Sequence, residues 1–122
     1  ISKMRDFRKL NIWIDSITLV KEVYTVSEYL PNEEKFGLKS QISRSVVSIP
    51  SNIAEGCSRN SDIEFKRFLE IAIGSSFELE TQLIIIKELN LIDKDKLVHI
   101  FELLSKVQKM LNSLINKLKA NS

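Results

Sequence analysis

Five polar residues recur at helical spacing near the middle of the chain: Gln41, Arg44, Ser48, Asn52 and Glu55, in steps of 3, 4, 4 and 3. At about 100° per residue they fall within roughly 80° of one another on a helix surface. They offer a guanidinium, two amides, a hydroxyl and a carboxylate, the groups that hold anions or form charge-assisted networks. A counterpart lies downstream, where Ser75, Glu78 and Gln82 share one side of a second helical pattern. If the two segments pack side by side, Arg44 is expected to sit buried near Glu55 or Glu78, because an unpaired buried charge is costly. Three readings stay open for this set. It is a closed network that fixes helix pairing, a small-ligand or phosphate site centred on Arg44, or an enzymatic site at Arg44, Asn52, Glu55 and Glu78.

Catalysis needs a nucleophile with its base, an acid/base pair, or a metal with matched ligands, and no complete set is present. His99, the single histidine, falls off the apolar seam of its helix and reads as a surface residue. The Glu-x-x-His pairs of di-iron bundles are absent from the sequence. Cys57 is the single cysteine, with no histidine near it in sequence, and reads as a passive thiol. It allows no intramolecular disulfide, which points to a reducing compartment. Gly74-Ser75 lies inside a helical pattern with no strand before it, so it is no phosphate loop. The small residues 74 to 76 are expected to let another helix come close. The chain is therefore expected not to be an enzyme, with no catalytic residue, cofactor or metal assigned.

The elements that position these groups are helical. Three glycines and two prolines punctuate 122 residues, which argues for few, long elements. Asp6 to Leu30 forms the first helical segment. Leu10, Trp13, Ile14, Ile17, Val20 and Tyr24 make one stripe, read as the core face. Ile12, Leu19, Val23, Val26 and Leu30 make a second stripe opposite it. Leu30-Pro31-Asn32 ends this helix, and Asn32 is expected to cap the next one. That second helix carries Leu38, Ile42, Val46, Ile49 and Ile53 as its stripe and ends near Gly56. Pro50 removes a backbone donor and is expected to kink or restart it, with Ser48 and Ser51 placed to satisfy the freed groups.

Ser61-Asp62-Ile63-Glu64 is a capping box for a third helix that runs to about Leu89. Its stripe is Phe65, Phe68, Leu69, Ala72, Ser76, Leu79, Leu83 and Ile86, with Ile73, Phe77 and Ile84 behind. Asp93 is expected to cap a fourth helix, stapled by Ile92 and Leu97. Leu97, Ile100, Leu104, Val107, Leu111, Leu114 and Leu118 alternate steps of 3 and 4, a heptad seam. The pattern predicts an all-α fold, one domain over residues 1–122: an antiparallel up-down-up-down four-helix bundle with its second helix kinked near Pro50.

The second apolar stripes imply a covered back. Ile12, Leu19, Val23, Val26 and Leu30 against Ile73, Phe77 and Ile84 are the expected oligomer interface, a heterologous contact that closes into a ring. The bulk composition is ordinary for a soluble chain, 43% hydrophobic and 28% charged with net charge +2. Charge is uneven, however. Residues 61–91 carry six acids and three bases, and residues 92–122 the reverse. No apolar run approaches the roughly 18 residues of a membrane span, and no apolar signal region precedes the first helix. The start at Ile1, with Met4 close behind, reads as a trimmed start, and the chain is expected in the cytoplasm. Arg5, Arg8, Lys9, Lys106, Lys109, Lys117 and Lys119 are the candidates for nucleic-acid contact.

The same residues resemble a known family, the bacterial four-helix-bundle proteins encoded in intervening sequences of 23S ribosomal RNA genes. The fold group also includes the accessory variability proteins of diversity-generating retroelements. The matching stretches are Phe7–Trp13, Leu30-Pro31, Phe36–Leu38, Gln41–Ser45, Val47–Gly56, Glu64-Phe65, Phe68-Leu69, Ala72–Ser75 and Glu78–Leu83. The run Ser48-Ile49-Pro50-Ser51-Asn52-Ile53-Ala54-Glu55-Gly56 is the most specific. Ser43 and Ser45 depart from it, where the family often carries Arg and Ala. The resemblance implies a ring-like homopentamer without enzyme activity, and an RNA-related role, with an RNA or an RNA-associated protein as partner besides the chain itself.

Overall fold

The computed structural model describes residues 5–120; the start at Ile1 to Met4 lies outside them. Asp6 accepts from the Arg8 N–H at 3.1 Å and opens a short 3-10 turn over Phe7–Lys9. Helix α1 then spans Asn11–Ser27, α2 Leu38–Cys57, α3 Asp62–Glu88 and α4 Val98–Ala120. Among the described residues there is no strand.

The helices pack in chain order around one apolar core, α1 on α2, α2 on α3, α3 on α4, and α4 back on α1. Cross-helix contacts run in opposite directions in three pairs. Ser45 meets Gln82 while Ser48 meets Ser75. Glu80 meets Gln108 while Lys87 lies over Phe101. Asp15 pairs with Lys106 while Glu22 pairs with His99.

The two faces of α1 are the reverse of the sequence reading. Ile12, Leu19, Val23, Val26 and Leu30, expected at an oligomer interface, are buried in the bundle's own core. Leu10, Trp13, Ile17 and Val20 are only half-buried, and Ile14 and Tyr24 are exposed. Both stripes have helical period, so periodicity alone does not say which one turns inward. Packing against α2 and α4 decides it. The inward stripe includes Ser16 and Ser27, whose hydroxyls bond back to the Trp13 and Tyr24 carbonyls at 2.7 Å each. The outward one carries the bulky, polar-tipped rings of Trp13 and Tyr24, which suit a wet edge.

Helix α2 begins five residues later than expected, at Leu38 after the N-cap position Gly37. Asn32–Glu34 is a separate 3-10 turn, and the capping role falls to Glu34, whose Oε1 accepts from the Leu38 N–H at 3.1 Å. The helix continues unbroken through Pro50, which is buried. The Ser48 hydroxyl is hydrogen-bonded to that of Ser75 and not to the backbone. Gly56 lies inside the helix, not beyond it. A Cβ there would meet Phe68 Cβ at 2.9 Å and Phe65 Cδ1 at 3.0 Å. Gly56 therefore leaves no room for a side chain between α2 and α3. Of residues 74 to 76, expected to admit a neighbouring helix, Ser75 meets Ser48 of α2 and Ser76 is buried. Gly74 instead is exposed, with open space where its Cβ would be.

Helix α3 starts as read, with Ser61 Oγ accepting from the Glu64 N–H at 3.2 Å. Its stripe is buried except Phe68, which is half-buried, and Gln82 joins it. Asn90 ends it at φ 56°, with Leu91 N–H bonding to Ile86 O at 3.0 Å and Asn90 N–H to Lys87 O at 3.1 Å. This Schellman closure tolerates Asn in the left-handed region. Asp93 caps a 3-10 turn over Lys94–Lys96 and not α4 itself. The α4 seam follows the heptad except at one step: Ile115 is buried where Leu114 was expected, Leu114 is only half-buried, and Leu118 is buried as read. A straight helix drifts about 20° per heptad, enough to move the seam by one residue over this length.

Candidate functional site

Small side chains bring α2 and α3 together. Ser48 Oγ and Ser75 Oγ are 2.8 Å apart, a hydrogen bond that either can donate. Asn52 Nδ2 donates to Ser48 O at 2.8 Å and Oγ at 3.0 Å, so Asn52 fixes Ser48 from within α2. Ser45, which the sequence reading passed over, is buried, and its Oγ lies 2.9 Å from Gln82 Oε1. The signal for it was present: it follows Gln41 by one helical turn on the side nearer the core stripe.

Outside this serine contact the two helices diverge into a cleft of about 460 Å³, lined by Gln41, Arg44, Ser45, Ser48, Glu78 and Gln82. The predicted polar set is thus divided. Gln41, Arg44, Ser48, Glu78 and Gln82 share the cleft, Ser75 is bonded beneath it, and Asn52 and Glu55 are absent from its walls. Glu55 pairs with Arg59 at 3.2 Å one turn along α2. Arg44 is exposed, with no ion pair to Glu55 or Glu78. The expected buried network around Arg44 does not form. Gln41, Arg44 and Glu78 stand at the outer rim of the helix pair, where water keeps their polar groups solvated without burial cost.

The seven basic candidates divide as well. Arg5 is bound to Asp62, lies 4.3 Å over the Phe65 ring and donates to Arg59 O. Arg8 pairs with Asp6 at 3.3 Å and Lys106 with Asp15 at 3.2 Å. Lys109 and Lys117 frame a groove of about 470 Å³ between the start of α1 and the end of α4, with Leu10, Asn11, Ile12 and Ser113 along it. Lys9 is exposed beside Leu10, and Lys119 is exposed two residues beyond Lys117. No side chain caps α1 at Leu10, so the positive end of its dipole lies at this groove. The sequence offered Lys109 and Lys117 as basic candidates on the last helix but could not show that α1 begins opposite them.

His99 is exposed as expected, with Nε2 3.0 Å from Glu22 Oε1. The second oxygen of Glu22 is buried without a partner. Cys57 is buried, and burial pushes its thiol above the ordinary range, with Arg5 pulling it partly back and Asp6 adding to the rise. That environment suppresses the thiolate and suits a packing role. Among the described residues no cluster of three or more His, Cys, Asp or Glu is placed to hold a metal, and no helix is long and apolar enough to cross a membrane.

Of the predicted interface residues on α3, Phe77 and Ile84 are exposed and Ile73 is half-buried. A shallow apolar groove between α1 and α2 is lined by Phe7, Trp13, Ile17, Val20, Val47 and Pro50.

Residues 8–113 match the family described as 23S rRNA-intervening sequence protein. The chain belongs to that family. A crystal structure of a protein with unknown function from the S23 ribosomal protein family of Bacteroides thetaiotaomicron VPI-5482 has the same fold, with TM-score 0.79 and 28% identity over 85% of this chain and 97% of that one. No curated protein matches. The match begins at Arg8, takes in most of the short stretches that carry the resemblance, and extends into α4 as well.

Proposed function

We propose that this chain is a non-catalytic scaffold that assembles with copies of itself and contacts structured RNA in the cytoplasm. The observation that carries the RNA part is the α1–α4 groove. Two lysines without acidic partners, Lys109 and Lys117, flank it, exposed Lys9 directly precedes Leu10 of its wall, and the uncapped start of α1 adds a positive dipole end. Phosphates are drawn to this combination irrespective of base sequence. The family's name, which links its members to intervening sequences of 23S rRNA, supports the same class of partner.

Self-association is supported by apolar surface. Phe77 is 54% exposed and Ile84 42%, and the Trp13 groove lies on the opposite side of the bundle, between α1 and α2. An α3 face seated in the next subunit's α1–α2 groove is a heterologous contact and closes a ring. The number five rests on the family resemblance alone. Titration of a labelled, structured RNA at increasing salt tests the RNA part. About three phosphate contacts should weaken affinity roughly 40-fold between about 50 and 200 mM salt. Affinity that is absent, or flat with salt, removes it.

A further inference from the structure

Gln82 is a buried amide short of hydrogen-bond partners. It is 7% exposed, and its Oε1 lies 2.9 Å from Ser45 Oγ. That hydroxyl has one proton and lies equally close, 2.9 Å, to the Gln41 carbonyl oxygen, so two acceptors share one donor. On the other side of the amide, Nε2 has no partner within the protein. Solvent reaches that nitrogen, because Gln82 lines the α2–α3 cleft, and a ligand group in the cleft can take the place of the water on it.

The rest of the cleft says what kind of partner fits. Arg44 on α2 and Glu78 on α3 carry opposite charges on facing helices, and no ion pair joins them. The side chain of Gln41 is likewise without a protein partner. Ser45 and Ser48 add hydroxyls, and no aromatic or aliphatic side chain is among the lining. A nucleobase would find no ring to stack on, and an apolar ligand nothing to bury against. A lone anion would meet the Glu78 carboxylate, and a lone cation the Arg44 guanidinium. A molecule bearing both charges satisfies both.

We propose that this cleft binds a small zwitterion of the α-amino acid class. Its carboxylate lies on the Arg44 guanidinium and accepts from Gln82 Nε2, while its ammonium group donates to Glu78. The volume, about 460 Å³, is within the range of small-molecule sites. Solvent reaches Arg44 and Glu78, so affinity is modest, with Kd of about 0.1–1 mM. The site lies apart from the α1–α4 groove, and its test is independent of RNA binding.

The test is two-dimensional amide NMR of the full chain titrated with glycine and with L-glutamine to about 10 mM, with acetate and methylammonium as single-charge controls. The expected result is a saturable shift confined to residues 41–48 and 75–82 for an amino acid, with acetate and methylammonium about tenfold weaker, the effect of one lost charge contact. Arg44→Ala and Glu78→Ala should each weaken binding about tenfold while keeping the folded spectrum, because both side chains are exposed; Lys109→Glu should leave it unchanged. No saturable shift with either amino acid overturns the proposal. So does an affinity unchanged by Arg44→Ala, or acetate binding as tightly as the amino acids. An RNA oligonucleotide that perturbs the same residues more strongly than either amino acid would overturn it in favour of a phosphate contact.

Discussion

Ser48 Oγ and Ser75 Oγ meet at 2.8 Å across α2 and α3, a polar contact beside an apolar core. Neither side chain reaches far, so the contact exists because the helix axes are close there. The same closeness is forced at the far end by Gly56, where a methyl group would stand 2.9 Å from Phe68 Cβ. Between them Ala72 and Ser76 keep the α3 side thin and buried.

Gly56→Ala should therefore destabilise the fold by about 1–3 kcal/mol through overpacking, despite the better helix propensity of alanine. The neighbouring atoms include backbone, Phe65 O at 3.3 Å, and do not simply rotate away. Urea denaturation of the two proteins checks it; a more stable Gly56→Ala would show that the helices relax apart freely.

Arg44→Ala should change stability by less than about 0.5 kcal/mol, since Arg44 is exposed and holds no ion pair. A loss of several kcal/mol in thermal or urea unfolding would mean that Arg44 is buried against a carboxylate after all.

Two charge insertions separate core from surface. Val23 is fully buried, so Val23→Glu should unfold the bundle, losing helical circular dichroism at room temperature. Phe77→Glu should keep full helicity and lower the mass seen by light scattering after size exclusion. A wild-type monomer at micromolar concentration, or an unchanged mass for Phe77→Glu, would contradict the ring.

Cys57 makes stability fall in alkali. Its folded-state pKa is raised by burial, so the neutral thiol is favoured. Its contribution is full below the unfolded value of about 8.5 and is lost as pH rises through the folded one. Wild type should lose stability relative to Cys57→Ala above about pH 8.5, with a constant difference near pH 7. Parallel pH profiles for the two proteins would contradict the burial argument.

The helices were legible because their signals are local: stripes of period 3.6, Ser61 with Glu64, and the shortage of Gly and Pro. What failed was inside-versus-outside on α1, where two apolar stripes compete and only packing against α2 and α4 chooses. The polar set on α2 was legible as a stripe, but the reach of its members was not. Ser48 and Asn52 are short and bond locally, whereas Arg44 is long enough to stay in water. Gln82 was placed beside the core stripe, but its burial depends on α2 lying against it. The lysine groove depends on the start of α1 meeting the end of α4, a contact between residues about 100 positions apart in the chain that no local pattern encodes.

The proposed contact with RNA runs along the α1–α4 edge. The most direct measurement is anisotropy of a labelled, structured RNA with wild type and with Lys109→Glu/Lys117→Glu, two exposed positions whose reversal leaves the core intact. The account predicts micromolar binding that weakens with salt. It also predicts a loss of at least about tenfold in the double variant at low salt, with a shallower salt slope, because two phosphate contacts are removed. Equal affinity for wild type and the double variant, with equal salt slopes, would contradict it.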